Sequence, residues 1–204
     1  AEILVVSKKR AHKDILKFYD MGFRKMGENR VQDLLDKKDE LPEDIEWHII
    51  GHLQRNKVKY IVPFVQLIHS IDSIRLAKEI NKEAKKAGRT ISVLLQFKIA
   101  EEDSKYGLEV DEKFTTVKKL QELNLENLNI QGVMGMATYT DDENQVQYEF
   151  RRLKDIFESL KSTFFEQNED FKVISMGMSG DYKIALQEGS TMLRLGSILF
   201  DAIK

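Results

Sequence analysis

Cysteine is absent from this chain, which removes disulfide frameworks, thiolate nucleophiles and cysteine-ligated zinc. Proline is nearly absent, with two residues in 204, and no Ser/Gly-rich stretch interrupts the sequence, so nothing marks a domain boundary. An excess of one charge is missing: 32 basic residues face 34 acidic ones, for a formal net charge of −2. That balance gives no electrostatic footprint for nucleic acid or an anionic membrane. No apolar run reaches the roughly 18 residues of a membrane span. The opening AEILVVSK is short and strand-like, unlike a signal peptide. The four histidines (His12, His48, His52, His69) form no HExxH motif, and no zinc site is expected. These absences leave a cytoplasmic, soluble, single domain over residues 1–204, with neither nucleic acid nor membrane as a partner.

What is present is alternation. Apolar, β-branched runs predict strands over 3–8, 23–28, 46–51, 65–71, 91–99, 128–136, 171–177 and 192–196. Charged segments of helical period predict helices over 12–21, 30–39, 54–61, 73–87, 109–123, 144–167 and 180–188. Several strands are almost wholly apolar, as parallel strands buried on both faces are. Eight strands interleaved with helices give an α/β chain with the pattern of a single (β/α)8 TIM barrel. A doubly wound sheet is the runner-up, but the GxGxxG and GxxxxGK[ST] fingerprints are absent. No helical pattern precedes the first strand or follows the eighth. The barrel is therefore expected to lack the usual leading helix, with the tail SILFDAIK available to fill one groove.

The stretch ISMGMSGDYKIALQEGSTMLRLGS, from Ile174 to Ser197, carries the first functional signal. Its two apolar runs end in MSG and GS. In barrels of this class, active sites lie at the C-terminal ends of the strands, and phosphate often sits on the loops after strands 7 and 8. Glycine lets backbone N–H groups approach an anion, Ser179 and Ser197 offer hydroxyls, and a helix beginning near Gly180 would add a favourable dipole. Tight strand exits would select the same small residues. Lys8 ends the first strand in VVSKK, where desolvation would free its amine for Schiff-base chemistry; alternation lets only one of Lys8 and Lys9 face inward easily. Arg194 lies inside the eighth strand. A lysine, an inward arginine and a glycine-rich anion cup are together what pyridoxal 5′-phosphate (PLP) requires.

The chain resembles the pyridoxal phosphate homeostasis protein family along essentially its whole length. The resemblance rests on VSK at 6–8, GENRVQ at 27–32, WHIIGHLQRNK at 47–57, HSIDS at 69–73, EEDSKYG at 101–107, GVMGMA at 132–137, SMGMSGD at 175–181 and GSTMLRLG at 189–196. It implies a barrel like the N-terminal domain of alanine racemase, with PLP as cofactor. It implies Lys8 as the aldimine lysine, Arg194 as partner of the pyridine nitrogen, and Ser179, Gly196 and Ser197 as the phosphate cup. Asn29 would either hydrogen-bond the cofactor or cap the following helix. Met136, where the related racemases carry a histidine, would either pack on the ring or be a core methionine.

Because arginine stays protonated, it donates to the ring nitrogen and leaves the ring a weaker electron sink. A two-base racemase needs a proton acceptor on each face. The second one belongs to another domain in the related racemases, and this chain ends just after strand 8. The expectation is a monomeric carrier that buffers PLP and delivers it to apo PLP-dependent enzymes, with little or no turnover. An amino-acid racemase or decarboxylase of the same fold is the alternative, and a cofactor-free barrel acting on a phosphorylated metabolite is the third reading. His48 reads as a satisfied interior histidine and His52 as a residue near the mouth. Lys105 would be a second aldehyde site or, more simply, a surface lysine.

Overall fold

The computed structural model describes residues 1–101, 106–109 and 113–203. Eight parallel strands close on themselves in chain order: β1 (Glu2–Val6), β2 (Lys25–Glu28), β3 (Glu46–Ile49), β4 (Leu67–Ile71), β5 (Ile91–Gln96), β6 (Leu128–Met134), β7 (Val173–Ser175) and β8 (Met192–Leu195). Around them lie α1 (His12–Asp20), α2 (Val31–Lys38), α3 (Val58–Ile61), α4 (Ile74–Lys86), α5 (Lys113–Glu122), α6 (Glu143–Phe164), α7 (Tyr182–Gln187) and α8 (Ser197–Ala202). The TIM barrel expected from the alternation is the fold observed.

Side chains leave a strand on opposite faces in turn, so closure divides each strand into two sets. Leu4, Leu67, Leu94, Met134 and Met192 pack together inside the barrel. Their neighbours Val5, Ile68, Val93, Leu95, Val133, Leu193 and Leu195 face outward and join the helices. Each helix supplies a matching stripe. In α4, Leu76, Ala77, Ile80 and Ala84 are buried, and Ser73 caps the start by accepting the Leu76 N–H at 3.3 Å. In α6, Asp142 accepts the N–H groups of Asn144 and Gln145, while Val146, Phe150, Leu153, Phe157 and Leu160 line the buried side.

The structure trims several expected elements. Six strands stop one to three residues short of the apolar runs at the mouth, because the chain turns out of the ladder there, while β2 and β4 end at Glu28 and Ile71 as expected. The expected helix over 54–61 is a 3₁₀ turn at Arg55–Lys57 followed by the single turn of α3. The absence of a helix after strand 8 is corrected: the tail forms α8, too short for its period to show. Phe200 of α8 is 2% exposed and meets Phe18 of α1 edge-on at 4.7 Å, with the Arg10 guanidinium 4.6 Å from its ring centre. The tail thus fills the groove that the sequence left open.

One backbone position has no tolerance. The β5–β6 pairing shifts register between Val93 and Leu94, opposite Gly132. Gly132 adopts φ 152°, and a Cβ there would lie 1.8 Å from the Val173 carbonyl oxygen of β7. A bulge glycine lets the two backbones meet. Gly132→Ala should cost about 3 kcal/mol, combining backbone strain with overpacking. Urea unfolding should show this as a lower midpoint with an unchanged slope.

Candidate functional site

Three groups of residues meet at the C-terminal ends of the strands. The first joins the exits of β7 and β8. The Ser179 hydroxyl oxygen accepts the backbone N–H of Gly196 and that of Ile198, each at 3.3 Å. Two backbone donors therefore converge on one oxygen, the arrangement that would hold an oxygen of a bound anion. The expected helix start near Gly180 is corrected. α7 begins at Tyr182 with Asp181 as its N-cap, and the Asp181 carboxylate accepts the Met178 N–H at 2.5 Å. Burial raises the Asp181 pKa above the ordinary carboxylate value, partly opposed by the Met178 bond and by Arg194. The converging donors belong to the start of α8.

The second group carries Lys8. Leu4 points into the barrel, and β1 ends at Val6, so Lys8 stands in the turn just beyond the strand; Lys9 follows with φ 58°. Lys8 is exposed, so the expected desolvation of its amine is not met: it opens on a cleft of about 940 Å³ rather than a closed pocket. Asn29, Gly196 and Ser197 line the same cleft, as does Lys9. Behind Lys8 is a buried anchor that sequence reading missed. Ser7 Oγ donates to Glu28 Oε1 at 2.6 Å. Lys37 Nζ donates to the same Oε1 at 2.6 Å and to the Ser7 carbonyl at 2.7 Å. Glu28 is fully buried. The strand exit that presents Lys8 is thereby tied to β2 and α2. The Ser–Glu–Lys set joins the β1 exit, β2 and α2, and the motifs VSK and GEN carried only Ser7 and Glu28 of it.

Asn29 does not cap α2. The N-cap is Arg30, without a side-chain bond. Instead the Asn29 backbone packs against Gly51, where a Cβ would come within 2.5 Å of the Asn29 carbonyl oxygen.

The third group runs through the barrel interior. Arg194 is buried; Nη1 donates to Ser175 Oγ at 2.8 Å and Nη2 to the Gly135 carbonyl at 3.0 Å. Burial lowers its pKa to about 10, which leaves it charged at neutral pH. Ser175 Oγ also lies 3.0 Å from His69 Nδ1, and His69 Nε2 lies 3.0 Å from His48 Nδ1. Both rings are buried, and burial pushes both histidines down, His48 to about 3. The expectation of a satisfied His48 holds for one nitrogen only, since Nε2 has no partner among the described residues. Met136 follows Gly135 and is 40% exposed, so it is a residue of the mouth and not a core methionine.

Not every nominated residue joins the site. His52 pairs with Asp72 at 3.0 Å and stacks on Tyr106. Lys105 lies outside the described residues. Among the described residues, no helix is long and apolar enough to cross a membrane, and no group of three His, Asp or Glu could hold a metal.

Comparison with known proteins follows the same pattern. Residues 1–203 match the model of the alanine racemase N-terminal domain. The pyridoxal phosphate homeostasis protein of Aquifex aeolicus is 39% identical over 203 residues, covering 98% of this chain and 86% of that protein. The structure of PipY from Synechococcus elongatus PCC7942 with PLP bound superposes with a TM-score of 0.84 at 31% identity, covering 98% of this chain and 92% of that one. The alanine racemase of Clostridium difficile 630 shares the fold, with a TM-score of 0.76 at 16% identity, over 97% of this chain and 54% of the racemase.

Two measurements test the buried groups. Lys37→Met leaves Glu28 uncompensated and should cost about 3–5 kcal/mol in chemical denaturation. Above pH 6.5 both histidines are neutral whether the chain is folded or unfolded. Below it the unfolded chain takes up protons that the folded barrel refuses, at His48 down to about pH 3. Stability should therefore fall as pH falls through that window. His48→Gln should flatten the decline in melts from pH 7 to 4.

Proposed function

The chain belongs to the pyridoxal phosphate homeostasis protein family, within the alanine racemase N-terminal domain fold, and from that premise we propose that it binds PLP at the mouth just described. The observation that carries the reading is the convergence of two backbone N–H groups on the Ser179 oxygen, at the edge of the cleft that Lys8 borders. A phosphate oxygen can take the same donors, with the Ser179 and Ser197 hydroxyls turned to donate in their turn. Lys8 supplies the amine that joins the cofactor as a Schiff base. Bound PLP contributes a reversible aldehyde and an electron-accepting ring. Asn29 and the exposed Met136 would border the ring, and Arg194 would meet its nitrogen.

Binding without appreciable turnover follows from the residues that face the ring. Arg194 donates and never accepts a proton at neutral pH, so the ring nitrogen stays unprotonated and draws electrons weakly. Met136 presents a thioether, which exchanges no proton. The open cleft around Lys8 suits a cofactor that enters and leaves. The role we propose is a monomeric carrier in the cytoplasm that buffers PLP and passes it to apo-enzymes requiring it.

The visible absorption of the purified protein titrated with PLP, beside Lys8→Ala, tests the reading. The parent should develop a Schiff-base band that the variant lacks. A band that persists would move the linkage to Lys9 or Lys105. No band in the parent would overturn the cofactor assignment, and racemised or decarboxylated amino acids would overturn the carrier role.

A further inference from the structure

We propose that His69 and His48, acting through Ser175, are positioning residues that aim and hold the Arg194 guanidinium by a one-way hydrogen-bond column along the barrel interior. The proposal deepens the PLP reading, in which Arg194 meets the ring nitrogen.

The column has four members on four strands: Arg194 on β8, Ser175 on β7, His69 on β4 and His48 on β3. Its links are 2.8, 3.0 and 3.0 Å, and no member is more than 4% exposed. Hydrogen positions follow from counting donors. Arginine can only donate, so its Nη1 hydrogen occupies a lone pair of Ser175 Oγ. Neutral imidazole carries one hydrogen, and buried imidazole stays neutral.

Two registers remain. In the first, the Ser175 hydroxyl donates to His69 Nδ1, and His69 Nε2–H donates to His48 Nδ1. Only His48 Nε2–H is then left over. In the second register both rings are reversed. His69 Nδ1–H donates to Ser175 Oγ, which leaves the Ser175 hydroxyl hydrogen without an acceptor in the column and His48 Nε2 as a bare acceptor. The first strands one buried group and the second strands two. Since each stranded group costs about 1–3 kcal/mol, the first register prevails.

The leftover hydrogen is buried and has no partner among the described residues. His48 lines a second cleft, of about 420 Å³, bordered by Lys25, Gln66, Gln131 and Lys172 at the opposite end of the barrel. The column therefore begins at the arginine and ends at His48, with one buried group, Nε2–H, left over. Its effect on Arg194 is to fix the guanidinium plane. One bond runs to Ser175 and one to the Gly135 carbonyl, leaving three of the five N–H hydrogens for a ligand. Without His69, the Ser175 hydroxyl loses the acceptor that orients it, and the guanidinium loses a fixed lone pair.

Two readouts decide the matter, one with PLP and one without. His69→Leu should weaken PLP binding about tenfold and shift the absorption maximum of the bound form, roughly the loss of one oriented hydrogen bond. His69→Gln keeps a donor and an acceptor and should remain within about threefold of the parent. Inorganic phosphate should compete equally well against PLP in the parent and in His69→Gln, since the Ser179 cup is untouched. In the cofactor-free protein, the side-chain N–H signal of Arg194 should exchange with solvent about tenfold faster in His69→Leu, and at the parent rate in His69→Gln. Ser175→Ala repeats both arms if His69→Leu does not fold. Nitrogen-15 spectra of histidine should show His69 carrying its hydrogen on Nε2. Unchanged Arg194 exchange in His69→Leu, or a hydrogen on Nδ1 of His69, would overturn the column. A parent that binds no PLP, with the exchange effect intact, would strike the cofactor reading and leave the column standing.

Discussion

Closure of the eight-stranded parallel sheet is the constraint on which the other features depend. Once strand 1 pairs with strand 8, every strand has an inner and an outer face, and alternate residues are committed to one or the other. The outer set is apolar and meets the helices. The inner set is small in area, and five aliphatic or thioether side chains fill part of it. The inner face also carries the polar chain of His48, His69, Ser175 and Arg194, which runs toward the mouth where the Gly and Ser exits of β7 and β8 meet. Packing and function are thus separated by a period of two residues.

Burying Arg194 carries a desolvation cost that packing alone would not offset. Two hydrogen bonds to the guanidinium, and a chain of neutral groups behind one of them, make the position tenable. The Glu28–Lys37 pair obeys the same logic on the outer face, where Ser7 supplies both a donor and a carbonyl acceptor. One buried charge lies on the inner face of the strand ends, and one buried pair lies outside the strand exit that carries Lys8. Together they make the mouth rigid where it must present an amine and a guanidinium, while the cleft between them stays open to solvent.

Much of the fold was legible in the sequence, because long apolar runs and helical stripes are local signals. Each expected strand exists, and each expected helix exists in some form. The errors fall where the signal is short. SILFDAIK has too few turns to show a period, yet Phe200 docks it as α8. DYKIALQEG displays a helix but not its start, because Asp181 folds back to the Met178 N–H. In the site, Lys8, Asn29, Gly196 and Ser197 do border one cleft, and Ser179 reaches across to Gly196. The alternation rule expected one of Lys8 and Lys9 to face inward, yet both are exposed and line that cleft. Its limit was desolvation: Lys8 stands exposed, which no strand pattern reveals.

The sequence by itself determined the barrel, its strand order and the placement of lysine, arginine and small residues at strand ends, because these follow from periodicity and from the restricted ways parallel strands connect. Only the tertiary structure decided which polar groups meet. Ser7, Glu28 and Lys37 are 21 and 9 residues apart in sequence along the chain and within 2.7 Å in space. His69 and Ser175, separated by 106 residues, are hydrogen-bond partners. Such contacts carry no local signature, since each residue taken alone fits a solvated surface as well as a buried column. Closing the barrel removes the water that would otherwise satisfy them and leaves only one another as partners.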